Sequence, residues 1–321
     1  MRGMFDHVLV PLDGSSLAER ALPHAVALAR AFDSLVTVVR SVERRAGDGM
    51  TEAVDPLTWQ MRKAEALAYL DGVVSRLQNL EVRGDRLVVE GDAAEQIINH
   101  TQQNPVDLIV LTSHGRSGLS EWNISSVVQK VIQRAYVPML IVPAYRPAPA
   151  EMGTLEYGRL AVPLDGSQRA EYVLPAAAKI AAVYDALLLL VHVVARPTVP
   201  RKMPLAAEEQ ELVERLLELN RDHATRYLDD LAARMSARVD TRLLVADNPV
   251  TALHELVAQD NVDLMLMTAH GYSGETRWPY GSVALSFIMY GSAPLLLMQD
   301  VAKEDAVETE AEKAAREVRG H

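Results

Sequence analysis

Two stretches of the chain are nearly the same. Val10-Pro11-Leu12-Asp13-Gly14-Ser15 returns as Val162-Pro163-Leu164-Asp165-Gly166-Ser167, an offset of 152 from residue 13 to residue 165. At the same offset, Ala21-Leu22-Pro23 answers to Val173-Leu174-Pro175. Further on, Val106-Asp107-Leu108 returns as Val262-Asp263-Leu264 and Thr112-Ser113-His114-Gly115 as Thr268-Ala269-His270-Gly271. Ala135-Tyr136-Val137-Pro138 corresponds to Gly291-Ser292-Ala293-Pro294, now at an offset of 156, so the second copy has gained four residues in between. This period is too long for a solenoid repeat, and each copy is large enough to bury its own core. The 321 residues therefore read as two tandem domains, 1–146 and 155–300. Between them lies the proline-bearing stretch Pro143 to Thr154, which cannot continue a sheet ladder and reads as a linker. Residues 301–321 are rich in Glu, Lys and Ala, net acidic, and without a wide apolar stripe. A frayed helix or disordered tail is expected there.

Composition removes several function classes. Cysteine is absent, so there is no disulfide framework, thiolate nucleophile, Cys-type zinc site or iron–sulfur cluster. The net charge of -11 argues against nucleic acid as a partner and against electrostatic docking on an anionic membrane. No apolar run approaches the roughly 20 residues that span a bilayer. The short apolar run after Met1 is ended by Pro11 and is too short for a signal peptide. A soluble cytoplasmic protein is expected.

Within each copy, short apolar runs alternate with helical patterns. Copy one places strands at 7–10, 35–39, 86–89, 108–111 and 139–142. Its helices fall from the Ser16-Leu17-Ala18-Glu19 capping box to about Phe32, and at 62–77, 93–102 and 125–135. Copy two repeats the order, with strands at 160–162, 187–194, 243–245, 264–267 and 295–298 and a longer helix over 208–235. Five apolar strands alternating with four helices predict an α/β fold, an open parallel sheet covered by helices on both faces. Ligands of such sheets bind beyond the carboxyl ends of the strands. Those ends are Pro11-Leu12-Asp13-Gly14 and Thr112-Ser113-His114-Gly115 in copy one, and their counterparts at 163–166 and 268–271 in copy two.

Read alone, these residues leave alternatives open. In copy two the glycine-bearing loop from Thr268 leads to Gly281-Ser282-Val283 at a helix start, where free N–H groups favour an anion. Equally, the glycines could simply turn the chain; no P-loop lysine follows. Asp13 and Asp165 fit either a ligand-binding carboxylate or a turn-forming Asp-Gly pair. His114 and His270 sit in matching places and fit loop packing better than acid–base catalysis. His24, which copy two replaces by Ala176, reads as a helix-surface residue. No histidine pair has zinc-site spacing, and Ser15 and Ser167 lack the frame of a hydrolase nucleophile. Methionines near strand ends (Met139, Met265, Met267, Met298) read as packing.

Together, the Val-Pro-Leu-Asp-Gly-Ser strand end, the strand leading to Thr-Ser/Ala-His-Gly, and the Gly-Ser-Val-Ala helix start resemble the universal stress protein family. The resemblance covers nearly the whole chain to about Asp300, as a tandem of two family domains. It implies two Rossmann-like, adenine-nucleotide α-hydrolase-like domains with strand order 3-2-1-4-5. It also implies an ATP or AMP ligand, with Mg as a possible companion, and pairing through the fifth strands as an internal pseudo-dimer or a homodimer. The family's motif is Gly, two residues, Gly, nine residues, then Gly-Ser or Gly-Thr. In copy two it falls on Thr268, Gly271 and Gly281-Ser282, with only the first glycine lost. In copy one it falls on Thr112, Gly115 and Ser125-Ser126, with the first and last glycines lost. The resemblance thus implies binding residues Pro163, Leu164, Asp165, Val193, Met267, Thr268, Gly271, Gly281, Ser282 and Val283 in copy two. In copy one it implies Pro11, Asp13, Thr112, Gly115, Ser125 and Ser126. The adenine-contacting valine maps to Val193 but to Ser41 in copy one, whereas the glycine kept as Gly91 is Asp247 in copy two and puts a charge near that site. On balance copy two is expected to be the better phosphate cradle, in a nucleotide-binding stress or signalling module. Two other readings stay open. One is a slow ATPase, for which the copy-two loop offers Arg277 beside Glu275. The other is a nucleotide-free scaffold docking through the 208–235 helix, whose Glu208, Glu209, Glu211, Glu214 and Arg215 otherwise mark a solvated face.

Overall fold

The computed structural model describes residues 3–43, 55–114, 125–145, 151–196, 206–271 and 280–299. It divides into two compact units, with the boundary between Glu156 and Tyr157. The first unit runs β1 (His7–Pro11), a 3-10 turn (Ala18–Arg20), α1 (Ala21–Phe32), β2 (Leu35–Val42) and α2 (Pro56–Asn79). It continues through β3 (Gly84–Glu90), α3 (Ala93–Gln103), β4 (Leu108–Thr112), α4 (Ser126–Arg134) and β5 (Met139–Val142). Its strands are parallel in the order β3-β2-β1-β4-β5. The second unit runs β6 (Arg159–Pro163), α5 (Gln168–Glu171), α6 (Leu174–Tyr184), β7 (Leu187–Ala195) and α7 (Ala207–Arg234). It ends with β8 (Val239–Ala246), α8 (Pro249–Gln259), β9 (Leu264–Thr268), α9 (Ser282–Tyr290) and β10 (Leu295–Met298). Its strands are again parallel, in the order β8-β7-β6-β9-β10. Both units therefore have the 3-2-1-4-5 order that the resemblance implies.

The central strands need no alternation because helices cover both faces. All five residues of β4 and of β9 are buried, as are all four of β5 and of β10. β8 differs. It starts four residues before the apolar run 243–245, because Val239-Asp240-Thr241-Arg242 lies at the outer end of the strand order and leaves Asp240 and Arg242 exposed. Helix starts follow local chemistry. The Asp55 side chain accepts from the Thr58 N–H with Pro56 opening α2, which sets the start six residues before the expected 62.

The Ser16 capping box does not form. Ser15 is the cap instead, its Oγ accepting from Ala18 N at 3.1 Å, and Ser167 does the same for Ala170 N at 3.2 Å. The entry turn then stops before the main helix in both units. Pro23 and Pro175 have no N–H to continue the ladder, so each sits in the first turn of a fresh helix. His24 is not on the surface. Ten of the twelve residues of α1 are buried, His24 among them, so position 24 has no exposed face to occupy.

The described ends of the linker are held to the first unit. The Arg20 guanidinium donates to Ala144 O, and that of Arg30 to Gly153 O at 2.9 Å. The expected tail, 301–321, lies outside the described residues. Among the described residues no helix is long and apolar enough to cross a membrane.

Candidate functional site: two strand-end clefts

In each unit the strand order reverses between the first strand and the fourth, and a cleft opens at their carboxyl ends. The second unit's cleft has a volume of about 360 Å³. Pro163, Leu164, Asp165, Val193, Met267, Thr268, Gly271, Gly281, Ser282 and Val283 all line it. The first unit's cleft has about 300 Å³, lined by Pro11, Asp13, Thr112, Ser125 and Ser126 among others. Gly115, Glu275 and Arg277 lie outside the described residues.

β6 delivers its carboxylate through a turn. Gly166 takes φ 84°, and the Asp165 Oδ1 accepts from Ser167 N at 3.0 Å and Ser167 Oγ at 2.6 Å. Asp13 makes the same turn, accepting from Ser15 N at 2.8 Å beside Gly14 at φ 84°. So the turn-forming role is real in both units, and it uses one carboxylate oxygen. The other oxygen of Asp165 explains Gly271. A Cβ at Gly271 would start 2.1 Å from Asp165 Oδ2, so the glycine leaves room for this carboxylate.

The loop after the fourth strand is tied to itself. Thr268 Oγ1 donates to His270 O at 2.8 Å, and Thr112 Oγ1 to His114 O at 2.7 Å. The threonine that replaces the family's first glycine is thus used as a loop staple. His114 and His270 are themselves buried, and His114 Nδ1 lies 3.0 Å from Ser113 Oγ, the packed-loop role. Backbone bonds then fix the next helix start: Gly281 N donates to Ala269 O at 2.8 Å, and Ser125 N to Ser113 O at 3.0 Å.

The two clefts differ at that helix start. Ser125 caps α4, its Oγ accepting from Val128 N at 3.2 Å. Gly281 gives α9 no side-chain cap, so the first-turn N–H groups of Ser282, Val283 and Ala284 face a cleft that these residues line. The walls differ too. Val193 is apolar, whereas Ser41 donates to Gly91 O at 2.5 Å. Asp247 does not line the second cleft; its carboxylate stands 3.7 Å from Arg196 Nε in an exposed pair.

Sequence reasoning missed Pro249 and Leu253 of α8, Ala93 and Ile97 of α3, and His192 of β7. The first four could be found from the strand–helix order, since Ala93 and Pro249 begin the helix after a third strand and Ile97 and Leu253 lie one turn further on the same helices. His192 stands at the offset of 152 from Arg40, a signal the two copies carry openly. Burial lowers the pKa of His192, against the opposing pull of the Leu164 backbone and the Asp165 carboxylate. Among the described residues no group of three or more metal-ligating His, Asp or Glu side chains is present.

Each half is thus a Rossmann-like α/β unit with a cleft at its switch point that joins a carboxylate, an apolar wall and a helix N-terminus. The family model of the universal stress protein family matches twice, over residues 4–143 and 156–299. The chain belongs to this family. Universal stress protein YxiE of Bacillus subtilis is 31% identical over 147 residues, which is 43% of this chain and 99% of that protein. The stress response protein NhaX of the same organism is 29% identical over 161 residues, 43% of this chain and 97% of the relative. Among solved structures, a universal stress protein from Archaeoglobus fulgidus matches with a TM-score of 0.65 at 16% identity. It covers 92% of this chain and 99% of its own. A structure described as a putative universal stress protein, from Pseudomonas aeruginosa, gives 0.65 at 13% identity, covering 92% of this chain and 93% of its own. These two show the fold.

Proposed function

We propose that the chain is an adenine-nucleotide-binding module of the stress response, working in the cytoplasm, with the second unit the stronger site. The observation that carries this reading is the uncapped start of α9 at Gly281, which shares one cleft with Asp165 and an apolar wall. The wall of Val193, Leu253 and Met267 suits a flat base. The Asp165 carboxylate accepts from hydroxyl or amine donors. First-turn N–H groups take phosphate oxygens, with the helix dipole adding to the attraction. Mg²⁺, when bound, neutralises the phosphates. In the first unit the Ser125 cap consumes one such donor, which weakens that cleft without closing it. ATP and AMP discriminate this reading from binding of phosphate alone. At about 100 times the dissociation constant, a ligand adds about 2.7 kcal/mol of stability, roughly 5–10 °C in melting temperature. A rise with ATP or AMP, and none with inorganic phosphate, supports the proposal; no rise with any nucleotide defeats it.

One observation favours a scaffold as second reading. Leu212, Leu216 and Leu219 are exposed along the first half of α7, among the charged residues of its solvated face. A chain that binds no nucleotide yet loses a specific protein partner on Leu216→Lys would support it.

A further inference from the structure

A second cavity lies on the α7 side of β7, and its counterpart in the first unit is filled by a side chain. There Arg40, the sixth residue of β2, lays its guanidinium over the ring of Tyr69, with Cζ 5.2 Å from the ring centroid. A Cβ at Gly14 would meet the guanidinium nitrogens at 3.2 and 3.4 Å. Tyr69 donates to Glu19 at 2.9 Å, and Glu19 pairs with Arg76.

The second unit keeps the frame and removes the plug. Gly166 repeats the φ of Gly14, Glu171 stands where Glu19 does, and Tyr227 of α7 supplies the ring. The sixth residue of β7 is His192 instead of arginine. Nothing lies within 4 Å of the place where a side chain at Gly166 would begin. A cavity of about 830 Å³ opens there, bounded by Asp165, His192, Asn220, His223 and Tyr227. Glu171 faces the Tyr227 hydroxyl, as Glu19 faces that of Tyr69. The lining holds a carboxylate and neither lysine nor arginine.

We propose that this cavity binds an organic cation bearing a guanidinium group, which takes the place that Arg40 fills in the first unit. A guanidinium offers five donors, cannot be neutralised, and stacks on an aromatic ring. It lies on the Tyr227 ring, as Arg40 lies on that of Tyr69, beside the Asp165 carboxylate. Phosphate meets the Asp165 carboxylate here, with no lysine or arginine to offset it, and is disfavoured. Burial, with the Leu164 backbone and Asp165 opposing, favours the neutral form of His192 and so keeps a competing positive charge off this wall.

The test uses the full-length protein stripped of nucleotide, titrated with agmatine against potassium chloride of equal ionic strength. Calorimetry and thermal melting both report. One saturable site per chain is expected. His192→Arg supplies the guanidinium from the chain itself and weakens agmatine binding about tenfold or more. Tyr227→Leu does the same by removing the ring, and decides the matter if His192→Arg fails to fold. Arg40→His opens the first unit and raises the stoichiometry to two. Absence of saturable binding, affinity unchanged in the His192 or Tyr227 variant, or a stoichiometry still at one in Arg40→His would overturn the proposal. No nucleotide is present, so either result leaves the nucleotide reading untouched.

Discussion

Gly281→Ser turns the start of α9 into a copy of the start of α4, and the two properties it touches should respond differently. The backbone at Gly281 stands at φ -69° and ψ 164°, which any residue adopts. A Cβ there would lie 3.5 Å from Ala269 O and 3.8 Å from His270 Cα, ordinary contacts. Serine in place of glycine at such a cap shifts stability by only a few tenths of a kcal/mol. Binding is another matter. Ser125 shows what the hydroxyl does: its Oγ accepts the Val128 N–H, whose equivalent in α9 is the Ala284 N–H. A phosphate deprived of that donor loses one charge-assisted bond, about 1.5–3 kcal/mol, or about 10- to 150-fold in affinity. Gly281→Val adds bulk without a hydroxyl and so separates crowding from capping. Titration calorimetry with Mg-ATP reads the affinity, and urea unfolding reads the stability. Affinity unchanged within about twofold in both folded variants would refute the assignment of phosphate to this helix start.

Other expectations follow from single contacts. Gly271→Ala drives a methyl into Asp165 Oδ2 and should cost about 1–3 kcal/mol in urea unfolding. In an Asp165→Ala background most of that cost should vanish, and an undiminished cost would mean the glycine serves something else. Thr268→Val keeps the shape but strips the bond to His270 O, about 1 kcal/mol; an unchanged unfolding midpoint would show that the staple is idle. Burial lowers the pKa of His100, His192 and His254 from 6.5. The unfolded chain then binds more protons below pH 6.5, so stability is full above that pH and is lost as pH falls toward the folded values. Melting temperatures between pH 7 and pH 5 should show this fall, and replacing all three by Gln should flatten it.

The duplication and the ten strands were legible because strands buried on both faces are continuous apolar runs, as in Leu108–Thr112 and Leu264–Thr268. The start of β8 was not, because an outer strand with one wet face resembles a loop in sequence. The capping serine is Ser15 and not Ser16, a choice between adjacent serines that only the Ala18 N–H contact decides. His24 looked solvent-facing because only one copy has it, yet burial there is set by what packs on α1. The cleft residues could be named from motif spacing, but Gly271 makes room for a side chain brought by a distant turn. The exchange of Arg40 for His192 was open to view in the aligned copies. Its meaning needed the positions of Tyr69 and Tyr227, which come from helices of different length.

The most direct test of the central claim is calorimetric titration of the full-length protein with Mg-ATP after carried-over nucleotide has been stripped. The account predicts saturable binding with one site per chain filled first, and any second site weaker. No heat and no thermal shift with ATP, ADP or AMP at millimolar concentration would contradict it, leaving the clefts as architecture without a nucleotide.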